Sequence, residues 1–288
     1  MKRLLPIFIF ATGALSASAI SLSDVKWHNE ATDTTRLTAL LDKARAIDSP
    51  TAQGRVAAIA LEFVGTPYVA HTLEGTPERL TVNVDELDCT TYVETVLALA
   101  KTIGDHRRSW RDYLHSLESL RYRNGTMRDY GSRLHYISDW IIDNTHRGNI
   151  TEVTNRSPRL DYTVKTLDFM SANRDSYPAL KDSAQYERII DVERGYRSHR
   201  YPVIKTTSLT AKDVNAMLHE GDVVALTTKV KGLDVSHLGF IVKGDDGQFH
   251  LLHASSRAGK VIIDPLPLYE YLRRSKSLTG IRVIRLKD

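Results

Sequence analysis

The sequence has 288 residues, of which 42% are hydrophobic, and a formal net charge of +4 at pH 7. This length and composition are typical of a globular chain with one large domain or two small ones. The 39 basic residues are interleaved with 35 acidic ones, which argues against a nucleic-acid-binding protein. A single cysteine, Cys89, excludes an internal disulfide.

Residues 1–19 have the three parts of a secretory signal peptide. Lys2 and Arg3 form a charged start, Leu4–Leu15 form an apolar run, and Ala17-Ser18-Ala19 is a cleavage signal. The run is too short to span a bilayer comfortably, and no cysteine follows the cleavage site, so we expect no stable membrane anchor. We therefore predict an exported protein, in the periplasm or secreted, with a net charge of +2 after Lys2 and Arg3 are removed from the total of +4.

The first part of the mature chain is predicted to be mostly helical. Apolar residues recur at helical spacing over 31–46 and 51–63. The second helix ends at Gly65, and an extended segment, Thr66–Val69, leads away from it. A short strand is predicted at 80–84.

Cys89 is predicted to lie in the first turn of the next helix, which continues to about Ile103. Asp88 is a good N-cap, and Thr91 with Glu94 offers a second capping arrangement one turn later. In either case the free N–H groups and the helix dipole favour a negative charge at the cysteine. We therefore expect a lowered thiol pKa and a reactive thiolate near neutral pH.

The chain then changes character over about 105–210, where charged and aromatic residues dominate. Helices are predicted at 108–119, 134–145 and 176–193, and strong strand signals are scarce. We interpret this segment as a large, mainly helical insertion in a single domain that spans residues 20–288.

The last eighty residues are predicted to form a sheet. Strands are expected at 221–226, 238–242, 249–254, 261–263 and 281–286. Because the connections are local, the sheet is predicted to be antiparallel. The expected fold class is α+β.

Two histidines, His237 and His253, flank the predicted turn at 244–247. A three- or five-residue loop would place both on one face of the sheet, whereas an even loop would separate them. With Cys89 packed against that sheet, the three side chains form a nucleophile, a base and an orienting group. Two alternatives stay open, namely structural histidines and a zinc site made by the same three residues.

Five short motifs together resemble the NlpC-type cell-wall cysteine hydrolases, which are papain-like enzymes. The motifs are Gly65-Thr66-Pro67-Tyr68, Asp88-Cys89-Thr90-Thr91, Gly221-Asp222-Val223-Val224, Ser236-His237-Leu238-Gly239-Phe240 and His253-Ala254-Ser255. Residues 88–94 and 132–140 are most similar to an N-acetylmuramoyl-L-alanine amidase-like branch, long described as a domain of unknown function. The resemblance implies a core with N-terminal helices and a helix-start cysteine packed on an antiparallel sheet.

The resemblance also implies roles for individual residues. Cys89 matches the nucleophile, His237 the general base, His253 the residue that orients His237, and Tyr68 a tyrosine that stabilises the oxyanion. The predicted substrate-binding residues are six polar or aromatic side chains: Asp88, Arg121, Arg133, His135, Tyr136 and Ser236. Asp88 could equally be only an N-cap, and Tyr136 could belong to a buried helix stripe with Trp140.

The predicted activity is hydrolysis of the muramoyl–L-alanine amide in peptidoglycan fragments, which include anhydromuramoyl peptides. The alternative enzyme is a γ-D-glutamyl–diamino-acid endopeptidase with the same catalytic residues. A non-catalytic cell-wall protein is a third reading. We predict no cofactor and no metal, peptidoglycan or muropeptides as the substrate, no nucleic-acid partner and no stable membrane anchor, with the oligomeric state open.

Overall fold

The computed structural model describes residues 20–47, 49 and 51–287, so the predicted signal peptide at 1–19 lies outside the described residues. The α-helices of the described part follow one another along the chain as α1 (Glu30–Ala46), α2 (Ala52–Leu61), α3 (Cys89–Gly104), α4 (Trp110–Arg121), α5 (Ile137–His146), α6 (Phe169–Ala172), α7 (Ser183–Gly195), α8 (Lys212–Met217) and α9 (Leu268–Arg274). Over these residues, every helix is too short or too polar to cross a lipid bilayer.

The described strands are β1 (Val25–Trp27), β2 (Leu80–Val82), β3 (Ile150–Glu152), β4 (Asp161–Lys165), β5 (His199–Lys205), β6 (Val223–Thr228), β7 (Val235–Lys243), β8 (Phe249–Ser255), β9 (Lys260–Pro267) and β10 (Leu278–Leu286). Eight of them form one sheet in the order β4-β5-β10-β6-β7-β8-β9, and β3 also pairs with β10. All pairs in this sheet are antiparallel, as predicted. The fold is therefore a mixture of helix and sheet.

Helix α3 is the central helix of the main core. It is apolar on nearly all sides, and the residues from Thr91 to Ala100 are buried. Its side chains Val93, Val96 and Leu97 belong to the same buried cluster as Phe240 of β7. The start of α3 is consequently held firmly against the sheet.

The predicted insertion contains the expected helices α4, α5 and α7, but it also contains strands β3, β4 and β5. The sequence did not indicate these strands, because β3 has only three residues and Pro202 interrupts the pattern of β5. The helix predicted at 176–193 begins later, at Ser183, where Asp182 accepts a hydrogen bond from the Ala184 N–H at 2.7 Å. Since β3 and β5 both pair with β10, the insertion and the C-terminal strands share one sheet.

The Gly221-Asp222 motif joins α2 to the sheet. Gly221 has φ +83°, and a Cβ atom there would lie 2.1 Å from the carbonyl oxygen of Gln53 in α2. Asp222 is fully buried and accepts a hydrogen bond from Arg285 Nε at 2.7 Å. The role of the Gly221-Asp222 motif is therefore structural, in the packing of α2 against the sheet.

Candidate active site

Cys89 is the first residue of α3, and this partly exposed residue packs against the edge of the main core. Asp88 Oδ1 accepts hydrogen bonds from the N–H groups of Thr90 at 3.0 Å and Thr91 at 2.8 Å. The Thr91 hydroxyl in turn accepts from the Asp88 N–H at 2.8 Å. The first of the two predicted capping arrangements therefore forms. This cap does not use the N–H of Cys89, which is directed to the sulfur atom of the same residue.

Strands β7 and β8 separate at the end nearest Cys89. Their ladder runs from the Lys243–Phe249 pair to the Phe240–Leu252 pair. Beyond it, β8 continues alongside β9, while the backbone of Leu238 on β7 forms a hydrogen bond with the Cys89 thiol. The thiol thus lies in contact with β7, one residue away from His237.

His237 and His253 lie on the same face of the sheet and contact each other. The turn between β7 and β8 consists of residues 244–248, which is one of the two odd lengths that the sequence left open. His237 Nε2 is 2.6 Å from His253 Nδ1, a hydrogen-bonding distance. The two rings are nearly perpendicular, with an interplanar angle of 85°.

Tyr68 reaches the same place from the extended segment after α2. The Tyr68 N–H donates to the carbonyl oxygen of Gly259 at 2.9 Å, and Tyr68 pairs with Leu87 just before the start of α3. Burial raises the pKa of the Tyr68 hydroxyl, and the charges of Cys89 and Asp88 raise it further. The phenol is therefore a hydrogen-bond donor close to the thiol at neutral pH.

The thiol pKa differs from the sequence prediction. Burial raises the pKa of Cys89 to about 11, and the Asp88 carboxylate acts in the same direction. Hydrogen bonds from Leu238 and Thr90 lower it, but they do not outweigh burial. The expected thiolate near neutral pH is thus corrected to a neutral thiol, because loss of hydration and a neighbouring negative charge exceed the effect of the helix terminus.

Both imidazoles are also neutral at pH 7. Burial lowers the pKa of His237 to about 4. Burial, with the charge of His237 as a second cause, lowers the pKa of His253 to about 3. The site therefore holds a thiol in contact with the backbone of Leu238, one residue along β7 from a neutral imidazole that can act as a proton acceptor.

The Asp88→Asn substitution tests this electrostatic arrangement. Asparagine retains the cap but lacks the charge that raises the thiol pKa. Since the thiolate fraction below the pKa rises tenfold for each unit by which the pKa falls, we expect roughly severalfold faster alkylation of Cys89 by iodoacetamide at pH 7.5. In the unsubstituted chain the alkylation rate should continue to increase with pH up to about 10, towards the thiol pKa of about 11.

Asp246→Asn, which changes an exposed carboxylate, is the matched control and should leave the alkylation rate unchanged. An alkylation rate that is high and constant between pH 6 and pH 8 would instead show a preformed thiolate–imidazolium pair.

A polar cavity of about 160 Å³ adjoins the start of α3. It is lined by residues of four segments: His71, Leu73, Glu74, Asp88, Thr90, Glu94, Arg121, Arg133, Leu134 and His135. Four of the six predicted substrate-binding residues, namely Asp88, Arg121, Arg133 and His135, are among them. Sequence spacing alone did not indicate that these residues meet beside Cys89.

The arginines of this cavity are fixed by buried carboxylates. Arg121 Nε donates to Glu94 Oε2 at 2.6 Å, and both side chains are almost fully buried. Arg133 donates to Glu74 Oε1 at 3.0 Å and lies 3.3 Å from Glu78 Oε1. The charges of the cavity wall are largely paired, which makes the wall rigid and leaves hydrogen-bonding atoms rather than free charge to face a ligand.

His135 and Ser236 differ in their surroundings. His135 Nε2 donates to the carbonyl oxygen of Tyr130 at 2.8 Å, and burial lowers the pKa of His135 well below its usual value. His135 is therefore a neutral part of the cavity wall. Ser236 is exposed at the start of β7, beside His237, and its contact with substrate stays a prediction.

Tyr136 does not reach the cavity, so its predicted contact with substrate is corrected. The side chain is buried in a separate cluster with Leu167 and Met170. Its hydroxyl donates to Glu193 Oε1 at 2.7 Å and accepts from the Met170 N–H at 2.9 Å. Tyr136 is buried, as the alternative reading expected, but it precedes α5 as the N-cap and lies in a different cluster from Trp140, so the two residues do not form one helix stripe.

Three residues at the site were not predicted from the sequence. Tyr271 of α9 packs edge-on against His253, with 5.5 Å between ring centroids. Asp264 Oδ2 lies 3.7 Å from His253 Nε2. Gly239 faces His253, because a Cβ atom at Gly239 would lie 2.9 Å from the His253 Cβ. Of the three, only Gly239 could have been noticed in the sequence, because it is a small residue two positions after His237.

Gly239→Ala should therefore disturb the histidine pair. The added methyl group would also lie 2.8 Å from Leu251 Cδ1, so the strand or the imidazole must move. We expect about 1–3 kcal/mol loss of unfolding free energy and roughly a tenfold or greater fall in hydrolytic rate. Unfolding midpoints and kcat/KM measure the two effects. Gly195→Ala, where a Cβ atom meets nothing within 4 Å, should change neither.

The zinc alternative is not supported by the geometry. The two ring nitrogens that face each other share a hydrogen bond and do not point to a common vacant position. Over residues 20–47, 49 and 51–287, no three histidine, cysteine or carboxylate side chains are grouped to hold a metal ion.

Comparison with known proteins identifies a family for most of the chain. Residues 58–281 match the AmiA-like family, described as N-acetylmuramoyl-L-alanine amidase-like. The crystal structure of an N-acetylmuramoyl-L-alanine amidase from Bacteroides uniformis ATCC 8492 is 35% identical with a TM-score of 0.75, and the match covers 81% of this chain and 99% of that one. A Bacteroides fragilis protein provisionally named a xylanase is 39% identical with a TM-score of 0.72, with coverage of 79% and 99%.

A Legionella pneumophila str. Philadelphia 1 protein shares 24% identity with a TM-score of 0.69, covering 90% of this chain and 96% of that one, and this likeness shows the fold alone. Curated proteins gave no match.

Proposed function

The chain belongs to the AmiA-like family of N-acetylmuramoyl-L-alanine amidase-like proteins, and from this premise we propose that it is a cysteine amidase. The proposed reaction is hydrolysis of the amide between the lactyl group of N-acetylmuramic or anhydromuramic acid and L-alanine in peptidoglycan fragments. The observation that carries the proposal is the hydrogen-bonded pair of His237 and His253, one residue along β7 from Leu238, whose backbone contacts the helix-start thiol of Cys89.

The first chemical step is attack of the Cys89 sulfur on the lactyl carbonyl carbon. Because His237 Nε2 is engaged with His253, Nδ1 is the nitrogen of His237 that is available to accept the thiol proton. Proton transfer accompanies the attack, since both groups start neutral. The negative charge then develops on the former carbonyl oxygen.

The oxyanion is stabilised by donors already at the thiol. The N–H of Cys89 lies beside its own Sγ, whereas Asp88 occupies the N–H groups of Thr90 and Thr91. The Tyr68 hydroxyl is the second donor, and burial keeps it protonated.

The intermediate then collapses with cleavage of the carbon–nitrogen bond. His237 gives its proton to the departing L-alanine nitrogen, which leaves the muramoyl group joined to sulfur as a thioester. His237 next removes a proton from a water molecule that attacks the thioester carbonyl. The muramoyl carboxylic acid leaves, the proton returns to Cys89 from His237, and the site is restored.

The cavity lined by Thr90, Arg121, Arg133 and His135 is the proposed site for the muramoyl half of the substrate. It is lined by Asp88 and Thr90, the two chain neighbours of Cys89, and its polar wall offers hydrogen bonds to sugar hydroxyl and N-acetyl groups. The insertion supplies three of these four residues. This placement gives the insertion at about 105–210 a part in substrate recognition.

The architecture also supports a papain-like assignment of the core. A cysteine at the start of a buried helix packs against an antiparallel sheet that supplies the base and its orienting residue. We propose that residues 20–288 form a single catalytic domain of the NlpC type. The predicted signal peptide at 1–19 agrees with export to the periplasm, where peptidoglycan is found.

Two matched substrates test the proposed bond specificity. The first is a muramoyl tripeptide, in which the L-alanine nitrogen is acylated by the lactyl group, and the second is the corresponding free tripeptide, L-Ala–γ-D-Glu–diaminopimelate. Products are identified by mass. The proposed amidase releases an intact tripeptide from the first substrate and leaves the second unchanged.

Cleavage of the free tripeptide between D-glutamate and the diamino acid would instead establish the endopeptidase activity. Neither substrate contains a bond between two sugars, so only amide cleavage is read out.

A further inference from the structure

One nitrogen of the histidine pair is buried without a hydrogen bond among the described residues. His253 is 2% exposed, and its Nε2 has no hydrogen-bond partner there, although Nδ1 contacts His237. An acidic group faces this nitrogen, since Asp264 Oδ2 lies 3.7 Å from it. A buried polar nitrogen with a carboxylate so near requires an explanation.

The direction of the hydrogen bonds supplies one. For His237 to accept the thiol proton at Nδ1, its Nε2 must carry a hydrogen and donate it to His253 Nδ1. His253 Nδ1 is then an acceptor, so the single hydrogen of neutral His253 must be on Nε2. The nearest carboxylate oxygen to that nitrogen is Asp264 Oδ2, at 3.7 Å.

We propose that Asp264 is a positioning residue that holds His253 in its Nε2–H tautomer and thereby keeps His237 in the form that accepts the proton of Cys89. The role rests on the proposed function of Cys89 and His237. The site would thus consist of a thiol, two imidazoles and a carboxylate in series. Hydrogen bonds of catalytic groups are commonly long in the free enzyme and shorten as charge develops, so the separation of 3.7 Å suits this role.

The backbone around Asp264 holds the carboxylate in position. The register between β8 and β9 shifts from the Leu252–Ile263 pair to the His250–Pro267 pair, so residues 264–266 bulge out of the ladder. Asp264 Oδ1 accepts from the Leu266 N–H at 2.9 Å, which leaves Oδ2 for His253. His250 Nδ1 donates to the Asp264 carbonyl oxygen at 2.8 Å.

The surroundings make the charge of Asp264 effective. Its side chain is only 14% exposed, and Tyr271 covers His253 on the same side of the sheet. A carboxylate shielded from water in this way acts on a neighbouring N–H more strongly than a solvated one. A carboxylate that fixes the tautomer of a histidine is a known means of orienting a base.

The first test is nitrogen-15 NMR of the unsubstituted chain, with His253 assigned by its disappearance in His253→Gln. The expected spectrum shows a neutral His253 with its hydrogen on Nε2 and an unprotonated Nδ1. This measurement requires neither turnover nor a stable variant at Asp264. A neutral His253 with its hydrogen on Nδ1 would overturn the proposal, whatever reaction the protein catalyses.

The second test is Asp264→Asn, with Asp246→Asn as the matched control. Asp246 also contacts a histidine of β8, because its Oδ1 is 3.1 Å from His250 Nε2, but Asp246 is exposed in the turn. We expect Asp264→Asn to lower kcat roughly ten- to a hundredfold with KM within about twofold, and to lose the Nε2–H preference of His253. Asp246→Asn should leave kcat and KM unchanged.

A merely structural Asp264 would give another pattern. Thermal unfolding would then shift while kcat, corrected for the folded fraction, and the His253 tautomer stayed unchanged, and this result would overturn the proposal. If the protein proves to have a different substrate, the tautomer of His253 in Asp264→Asn still tests whether Asp264 positions His253.

Discussion

Replacing Cys89 with alanine is expected to abolish amidase turnover while the fold is retained. The variant removes the atom that forms the thioester, and no other thiol exists in the chain to replace it. Removal of a nucleophile that acts in concert with a base commonly costs on the order of a thousandfold or more in kcat. We expect a loss of this size, measured by release of tripeptide from the muramoyl tripeptide.

The fold should tolerate this change, because Cys89 is half-buried and the cap is formed by Asp88 and Thr91 rather than by the thiol. Far-ultraviolet circular dichroism and the unfolding midpoint provide the check, with a loss of about 1 kcal/mol or less expected. Calorimetric titration should show that Cys89→Ala still binds the muramoyl tripeptide. Turnover by Cys89→Ala within tenfold of the original rate would remove Cys89 from the mechanism.

His237→Gln is expected to produce the second largest loss. Glutamine keeps a polar side chain next to His253 but cannot exchange a proton at neutral pH. A general acid–base group contributes roughly a hundred- to ten-thousandfold, and we expect a fall in kcat within that range. His146→Gln, at an exposed position at the end of α5, is the matched control and should retain full activity.

The alkylation rate of Cys89 distinguishes the loss of a general base in His237→Gln from misfolding of the variant. Because Cys89 is protonated at neutral pH for reasons of burial and the Asp88 charge, its alkylation rate at high pH should be similar in His237→Gln and in the unsubstituted chain. A His237→Gln variant that hydrolyses substrate normally would require another base for the thiol.

Local sequence signals predicted the position of the cysteine well. Asp88 marked the start of α3 because an N-cap is determined by residues within one turn, and the cap forms as expected. The odd loop between β7 and β8 was one of two lengths that bring His237 and His253 to one face. Strand alternation therefore made a shared face possible but did not require it, and it could not give the 2.6 Å contact.

The protonation state of Cys89 could not be predicted in the same way. The helix terminus is visible in the sequence, but the burial of the thiol results from packing against the main core, which includes residues far along the chain. The carboxylate of Asp88 was counted as a cap, yet it also opposes the thiolate. Local and distant contributions to one pKa can have opposite signs, and only the folded chain shows which is larger.

The substrate-binding residues of the insertion could not be identified from the sequence for the same reason. Arg121, Arg133 and Tyr136 were alike as candidates in the sequence, being aromatic or basic residues of one segment. Folding places the two arginines in the cavity wall with carboxylate partners and puts Tyr136 in a separate apolar cluster. Asp264 gave no signal at all, because its place beside His253 results from the bulge in β9.

The most direct measurement of the central claim is the mass of the chain after an acid quench during turnover of the muramoyl tripeptide. Attack by Cys89 on the lactyl carbonyl predicts a thioester adduct that carries the muramoyl half, attached at the peptide that contains Cys89, while free tripeptide accumulates. An adduct with the mass of the peptide half, or an adduct attached to any other residue, would exclude attack by Cys89 on the lactyl carbonyl.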